Sequence, residues 1–406
     1  MSASPLLSPT DSPIVPKVGK TLALQDKLTQ RSVLERVRAT DWSKSSPAPF
    51  VVEFDPTTAC NLACPDCISR DLLNQGYFTR DRIRELTREM VSAGVKAVVL
   101  IGGGEPLAHP EIRWVINYLH EHGVKLGLTT NGTLMHKFMD VLPTKFDWIR
   151  VSMDAGTAET FQKIRPSASG KSLFDDVVDN MRALAKVKTG KLGYSFMLYA
   201  EGHFDRQSTQ GRVVIPLQPA FNGRAPAQPY NNIDEIYQAA ELAKEIGCDY
   251  FEIKPMYDEH HFLVLMNPSL SSRAQALSLQ AKSLESDQFK VLMATKMKDY
   301  FAGVSDIEKK SYSRCAVAQL RTLVTPSGVY VCPYFRGRDD KRIGDVTETD
   351  FQSIWNGQQR KDVMNQLNPS HDCKMHCIRH DSNLFLESMI ADGVKVLPTD
   401  DFDLFI

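Results

Sequence analysis

From Phe50 to Pro255 the chain repeats one unit: a short apolar run, a polar or glycine-rich loop, and a helix-patterned stretch. The runs are FVVEFD (50–55), KAVVLIGG (96–103), KLGLTTNG (125–132), DWIRVSMD (147–154), KLGYSFMLY (191–199) and DYFEIKP (249–255). Near-continuous apolar runs suit parallel strands covered on both faces. Between them, Thr79 is placed to N-cap a helix carrying Ile83, Leu86 and Met90 on one side. Further helices are expected near 110–122, 133–141 and 173–187, and over 232–247, where Gly247 closes the last turn. Six such repeats admit a barrel or a doubly wound sheet. The chemistry-bearing residues fall at the C-terminal end of nearly every run: the cysteines after the first, then Gly102–Glu105, Thr130–Asn131, Asp154 and Lys254. A barrel enzyme assembles its site on that rim. The fold class expected is therefore α/β, a partial (β/α)6 TIM-type barrel over 49–260, with a small C-terminal cysteine-rich α+β domain.

The rest of the chain divides around it. Residues 1–20 are rich in Ser and Pro and read as disordered, and 21–48 as an N-terminal helix. Residues 201–231 read as a long loop and 261–310 as a helical linker. The cysteine-rich segment is 311–385, with a hairpin turning at Pro326-Ser327-Gly328, and 386–406 is a tail. Charge is balanced, 48 Lys+Arg against 49 Asp+Glu, which argues against a protein that grips nucleic acid through its overall field. No apolar run is long enough to span a membrane, and the N-terminus lacks the pattern of a signal peptide. The expected location is the cytoplasm, with no membrane or nucleic-acid partner.

In a reducing compartment, eight cysteines suggest metal binding or catalysis rather than disulfides. Seven are grouped: Cys60, Cys64 and Cys67 in one loop, and Cys315, Cys332, Cys373 and Cys377 near the end. Three thiolates can converge on one metal centre from such a loop. A three-ligand zinc site or a tight turn with incidental cysteines is the competing reading, and zinc structural sites want four ligands. A [4Fe–4S] cluster held by three cysteines leaves one iron open. The spacing C-x3-C-x2-C resembles the signature of the radical S-adenosylmethionine (SAM) superfamily, whose open iron chelates SAM. Gly102-Gly103-Gly104-Glu105-Pro106 after the second run resembles that family's GGEP motif. The resemblance implies that Gly103, Gly104, Glu105 and Pro106 bind SAM, the carboxylate meeting the methionyl ammonium. It implies the same cavity for Asn131, within Thr129-Thr130-Asn131-Gly132, and for Ser152 and Asp154, within Val151-Ser152-Met153-Asp154. Loop capping is the competing reading for each. The chain departs from the family at Asp66, where an aromatic residue usually precedes the third cysteine. The adenine contact is then expected near Pro255–Met256.

The second set supplies four cysteines, enough for one fully ligated [4Fe–4S] cluster or one zinc ion. It resembles the SPASM/twitch extensions of radical SAM enzymes but lacks the seven cysteines of the full pattern, so one auxiliary cluster is expected. His371, His376 and His380 beside the pair read as solvated side chains.

The function that the resemblance implies is reductive cleavage of SAM to a 5′-deoxyadenosyl radical, which abstracts hydrogen from a bound substrate. A one-electron reductant such as flavodoxin or ferredoxin is implied as a partner. The expected substrate is a small polar molecule, a sugar or cyclitol, undergoing dehydrogenation or epimerisation. The alternatives are modification of a ribosomal peptide, or a non-catalytic iron–sulfur protein for electron transfer or sensing. Tyr194, Phe196, Glu252 and Lys254 are the expected substrate-facing positions on the late strands, with core packing or a rim salt bridge as the competing reading. Asp258-Glu259-His260-His261 reads as solvated loop. Gly170-Lys171-Ser172 lacks the P-loop's leading glycine and strand. Cys248 reads as a buried apolar residue, with a hydrogen-atom donor of an epimerase as the rarer reading.

Overall fold

The structure, a computed structural model, describes residues 24–42, 46–167, 169–199, 204–208, 211–214, 231–256, 264–266, 268–294, 297–301, 310–373, 377–391 and 393–406. Residues 1–20, the Asp258–His261 run and His376 lie outside them. The described strands are β1 (Val51–Phe54), β2 (Ala97–Leu100), β3 (Lys125–Thr130), β4 (Trp148–Ser152), β5 (Lys191–Met197), β6 (Phe204–Ser208), β7 (Gly211–Val214), β8 (Tyr250–Lys254), β9 (Val264–Met266), β10 (Lys290–Met293), β11 (Arg321–Thr325), β12 (Gly328–Tyr330) and β13 (Arg342–Gly344). Ten of them form one sheet in the order β10-β8-β5-β4-β3-β2-β1-β11-β12-β13. Every pairing from β10 to β11 is parallel, and β12 and β13 add on antiparallel.

The two faces of the sheet differ because side chains alternate along each strand. Val52, Phe54, Val98, Leu100, Leu126, Leu128, Ile149 and Val151 pack in one core with Ile83, Leu86 and Met90 of the helix Arg80–Ser92, Val115 and Leu119 of Ile112–Glu121, and Val177 and Met181 of Phe174–Ala185. That face carries the helices of the repeats. The opposite face is apolar where Val51, Ala97 and Val99 meet Leu28, Val33, Val37, Phe405 and Ile406. Further along the strands it becomes polar, with Glu53, Arg150, Glu252 and Lys254 on it. Parallel strands laid down in chain order from β1 to β10, with the repeat helices on one face, give the partial barrel. A doubly wound sheet would reverse its order at a switch point and carry helices on both faces.

Local signals behave as the sequence requires. Thr79 Oγ1 accepts from the Arg82 N–H at 3.3 Å, and Gly247 ends its helix in the left-handed region at φ 90°. Four elements differ from expectation. The stretch 261–310 is more than a helical linker: after the helix Pro268–Lys282 it contributes β10, a further parallel strand beside β8. A four-residue run leaves little periodicity to read. The stretch 201–231 contains β6 and β7, which join β9 in a three-stranded antiparallel sheet. The stretch 133–141 makes only the 3-10 turn Met135–Phe138 before the short helix Leu142–Lys145.

The N-terminal helix is split at Gln30 into a 3-10 segment, Leu24–Thr29, and a helix, Arg31–Ala39. The buried Gln30 side chain explains the break. Its Oε1 accepts from the Phe402 and Asp403 N–H groups at 2.6 and 2.7 Å, and its Nε2 donates to the Asp403 carbonyl at 2.6 Å. The tail is thereby pinned under the barrel, where Phe405 meets Trp148 edge-on at 5.4 Å.

Candidate functional site

The Cys60–Cys67 loop leaves the C-terminal end of β1 and is held from below by the loop after β2. Gly104 packs so tightly that an added Cβ would stand 2.3 Å from the Ala59 carbonyl oxygen, so no other residue fits. The Glu105 N–H also donates to that carbonyl at 2.8 Å. Thr58, Ala59 and Gly104 thus fix the starting height of the cysteine loop.

The three thiols are half-buried and free. Burial pushes Cys60 up to about 11 and Cys64 to about 12, and raises Cys67; each also feels the next cysteine's charge. Backbone N–H groups of Leu62 and Ser69 donate to the Cys60 and Cys67 sulfurs. The Arg165 guanidinium lies in the field of all three, and that of Arg336 beside Cys67. Among the described residues, no group of three Cys, His, Asp or Glu side chains is arranged to hold a single metal ion. A four-iron cluster puts each thiolate on a different iron and so spreads its cysteines wider than one tetrahedral ion does. Facing thiols, N–H donors to sulfur and buried counter-cations fit such a cluster.

Glu105 is 2% exposed, and burial raises its pKa. Its Oε1 accepts from Thr130 Oγ1 at 2.7 Å and the Leu107 N–H at 3.1 Å, and its Oε2 from the Asn131 N–H at 2.8 Å. A carboxylate offers about four acceptor positions, so one remains on Oε2 for a further donor. Pro106 opens the 3-10 turn that Glu105 caps, and the Gly103 N–H donates to Asp55. Asn131 Nδ2 donates to Asn61 Oδ1 at 2.9 Å and to Cys60 Sγ at 3.9 Å, tying the third-strand loop to the first cysteine.

Asp154 takes a different place from the one expected. Its Oδ2 accepts from Arg165 Nε at 3.0 Å and from Nη2, and its Oδ1 from the Met197 N–H at 2.7 Å. With 1% exposure and both guanidinium bonds on Oδ2, it positions Arg165, with one acceptor position left on Oδ1. Ser152 lies on the inner face, level with Ser195 and Glu252 across β5 and β8.

The second set also gathers. Burial raises Cys315 and Cys373 to about 12 and lifts Cys332 and Cys377, and the charges of these cysteines act on one another. The N–H groups of Ala318, Tyr334 and Arg379 donate to three of the sulfurs. Lys310 donates to the Cys373 carbonyl at 2.6 Å, its charge beside Cys373 and Cys377. His371 is exposed and paired with Asp372, and His380 lies 3.3 Å from Tyr312 Oη. A cavity of about 560 Å3 touches Cys315, Trp42, Arg314 and Met364, away from the first thiol loop.

The four substrate-facing expectations divide by strand parity. Glu252 and Lys254 are on the inner face; Tyr194 and Phe196 are not. Both rings are fully buried on the helix side, 5.6 and 5.5 Å from Phe251, and Tyr194 Oη donates to the Ala155 carbonyl. Gly193 and Ser195 take inner positions of β5, and at Gly193 the Tyr250 ring leaves no room for a side chain: a Cβ there would stand 2.1 Å from it. Arg150 donates to Glu252 Oε2 at 3.2 Å. Burial works to raise the Glu252 carboxyl, but Arg150 and Lys254 outweigh it and hold it below the usual value. Burial brings Lys254 down to about 8, with Arg150 adding to the fall.

Sequence reasoning missed Arg150, Arg165, Arg336, Arg379 and Lys310, since nothing local marks a cation as buried. It also missed Tyr199, which packs with Ile164, Met197 and Met256 beside Arg165. Cys248 is buried in the core, as expected, and the Gly170-Lys171-Ser172 segment is a connection between two helices.

The radical SAM superfamily model matches residues 54–207, and the SPASM iron–sulfur cluster-binding domain matches 315–378. The chain is 26% identical over 210 residues to the AdoMet-dependent heme synthase of Methanosarcina barkeri, a match covering 51% of this chain and 50% of that protein. It is 24% identical over 319 residues to the mycofactocin maturase MftC of Mycobacterium tuberculosis, covering 76% of this chain and 70% of that one. Its fold is similar to that of Streptococcus suis SuiB bound to precursor peptide SuiA, with a TM-score of 0.55 at 15% identity, covering 82% of this chain and 68% of that one. No helix among the described residues is long and apolar enough to cross a membrane.

Proposed function

The chain carries the radical SAM domain followed by the SPASM domain of a radical SAM superfamily enzyme, and we propose that its substrate is a peptide from which it removes a hydrogen atom. Cys60, Cys64 and Cys67 would hold the SAM-chelating cluster, and Cys315, Cys332, Cys373 and Cys377 an auxiliary one. The observation that carries the reading is the junction of three loops: the thiols of the first, Glu105 of the second, and Asn131 bridging the two. A reduced cluster of this kind supplies the electron for reductive cleavage of SAM, whose product abstracts hydrogen.

The protein's part is binding and orientation. Glu105 keeps one acceptor for an ammonium, Gly103 and Gly104 let backbone approach closely, and Asn131 fixes the Cys60 sulfur. Arg165, held by Asp154, places a positive charge against the thiols. The Tyr199–Met197–Met256 cluster, in the field of Cys64 and Arg165, suits an adenine in place of the aromatic residue absent at Asp66.

The likeness to SuiB in its peptide-bound state and to a maturase supports a peptide over the sugar or cyclitol expected from the sequence. A small polar substrate remains the second reading, favoured by the Ser195, Glu252 and Lys254 side chains on the inner face. The free thiols fit a reducing cytoplasm and a flavodoxin- or ferredoxin-type reductant. The test is 5′-deoxyadenosine formation by anaerobically reconstituted protein given SAM and reductant, alone, with a peptide fraction and with small metabolites. The peptide fraction should stimulate it; stimulation by metabolites alone would reverse the substrate assignment. Replacing Cys60, Cys64 and Cys67 by Ala should abolish it and remove about half of the bound iron. If that triple variant still formed 5′-deoxyadenosine, the assignment of the first cluster would fall.

A further inference from the structure

The inner face of β4, β5 and β8 holds polar atoms that no described residue uses. The register sets Ser152, Ser195 and Glu252 on one level, with Met197 and Lys254 one level nearer the rim and Arg150 one level below. Ser195 is fully buried, yet its Oγ has no hydrogen-bond partner among the described residues, and neither has Arg150 Nε. Arg379 Nη1, behind the same face near Arg321 and Glu53, is also buried without a partner. Lys254 makes no side-chain hydrogen bond or ion pair among the described residues, its nearest charges being Arg150, Glu252, Asp154 and Arg165. Asp154 is already committed to Arg165, and Glu252 to Arg150. Buried donors without acceptors cost stability, and a face built to leave them so is shaped for a ligand that supplies the acceptors.

The charge count agrees. Arg150, Lys254, Arg321 and Arg379 stand against Glu53, Glu252 and the Ile406 carboxyl group that accepts from Arg321, an excess of one positive charge inside the fold. That excess excludes a cationic group and would be neutralised by an anionic one.

We propose that Arg150, Ser195 and Lys254 form a carboxylate-binding subsite in the barrel, which anchors the substrate by an acidic side chain or a C-terminal carboxylate. The subsite deepens the peptide reading above and rests on it for the identity of the ligand. Lys254 and Arg150 give charge-assisted hydrogen bonds to the two carboxylate oxygens, and Ser195 a third donor from the neighbouring strand. Together they fix one end of the substrate while its reacting carbon lies toward the Cys60–Cys67 loop. A single anchored end of this kind is a specificity device as much as an affinity one, since an amide in its place leaves the donors unpaired.

The test reads Lys254 directly. Reconstituted protein is acylated with an amine-selective reagent near pH 8, and the extent at Lys254 is followed by peptide mass spectrometry. Three probes are added at matched ionic strength: N-acetylglycylglycine, N-acetylglutamic acid α-amide, and N-acetylglycylglycinamide as the neutral control. Protection scales as 1 + [L]/Kd, so a carboxylate at about twice its Kd slows labelling about threefold. The terminal or the side-chain carboxylate should protect, the one that does so identifying the group read, and the amide should not. Arg150→Gln should weaken protection about tenfold, and Ser195→Ala, a smaller change less able to disturb folding, should weaken it more modestly. Equal protection by the amide, no protection by either acid up to about 100 mM, or no labelling of Lys254 at all would overturn the subsite. SAM cleavage measured on the same preparation separates the two readings: labelling does not depend on the radical reaction, so either can fail while the other stands.

Discussion

Arg336→Met tests the joint between the two cysteine-bearing parts. The Arg336 guanidinium, from the segment after Cys332, meets Asp55 at the end of β1 through two bonds, Nε to Oδ2 at 2.6 Å and Nη2 to Oδ1 at 3.1 Å. The side chains are 9% and 1% exposed. Removing one partner of a buried pair leaves an uncompensated charge and costs about 3–5 kcal/mol. Unfolding entropy of about 2.1 cal/mol/K per residue turns that into a fall of about 4–6 °C in the thermal midpoint of a chain this long. Burial already raises the Asp55 carboxyl, and Arg336 opposes that rise, so the variant should carry it higher still. A carboxyl whose folded pKa lies above its unfolded value adds stability at low pH that is lost as pH rises through the folded pKa. The deficit should therefore be larger at pH 8 than at pH 6, and Asp55→Asn in the same chain should recover part of it. Circular dichroism melts of the anaerobic holoprotein at both pH values give all three numbers. A midpoint equal to that of the wild type, or a double variant no better than Arg336→Met, would refute the reasoning.

Two further substitutions probe the parts of the fold that hold the site. Phe405→Ala removes a 6% exposed ring from the contact with Trp148 and should cost about 3–5 kcal/mol in denaturant unfolding; a loss below about 0.5 kcal/mol would mean the tail is not part of the core. Gly104→Ala drives a Cβ into the Ala59 carbonyl and should displace the first thiol loop. Iron analysis and electron paramagnetic resonance should then show the first cluster lost and the second kept; retention of both would show that the loop can yield.

The strands of the barrel and the loops after them were legible because burial leaves a pattern in sequence: apolar runs, a cap at Thr79, a glycine at 247, polar residues at each rim. The cysteine spacing and Gly102–Pro106 pointed to the candidate first site for the same local reason. What was not legible depends on which face a strand turns inward. Tyr194 and Phe196 alternate with Gly193 and Ser195, and the small pair marks the crowded inner side, a signal that was available in hindsight from Tyr250 one strand away. The arginines at 150, 165, 336 and 379 carry no local mark, since their burial is created only by residues far off in the chain. Gln30 likewise looks like an ordinary helical residue until the tail arrives to meet it.

The pairing of β1 with β11 has a further consequence. Cys60, Cys64 and Cys67 follow one of these strands directly, and Cys315 and Cys332 flank the hairpin begun by the other, so the two centres are mounted on adjacent members of one hydrogen-bonded frame. Cys60–Cys67 lie beyond the C-terminal end of β1, and Cys315 and Cys332 beyond the N-terminal end of β11, so the separation of the two sets follows the length of the paired strands, with the Asp55–Arg336 clasp beside them, rather than the swing of a linker. Centres held on these cysteines would keep one separation for as long as the two strands stay paired.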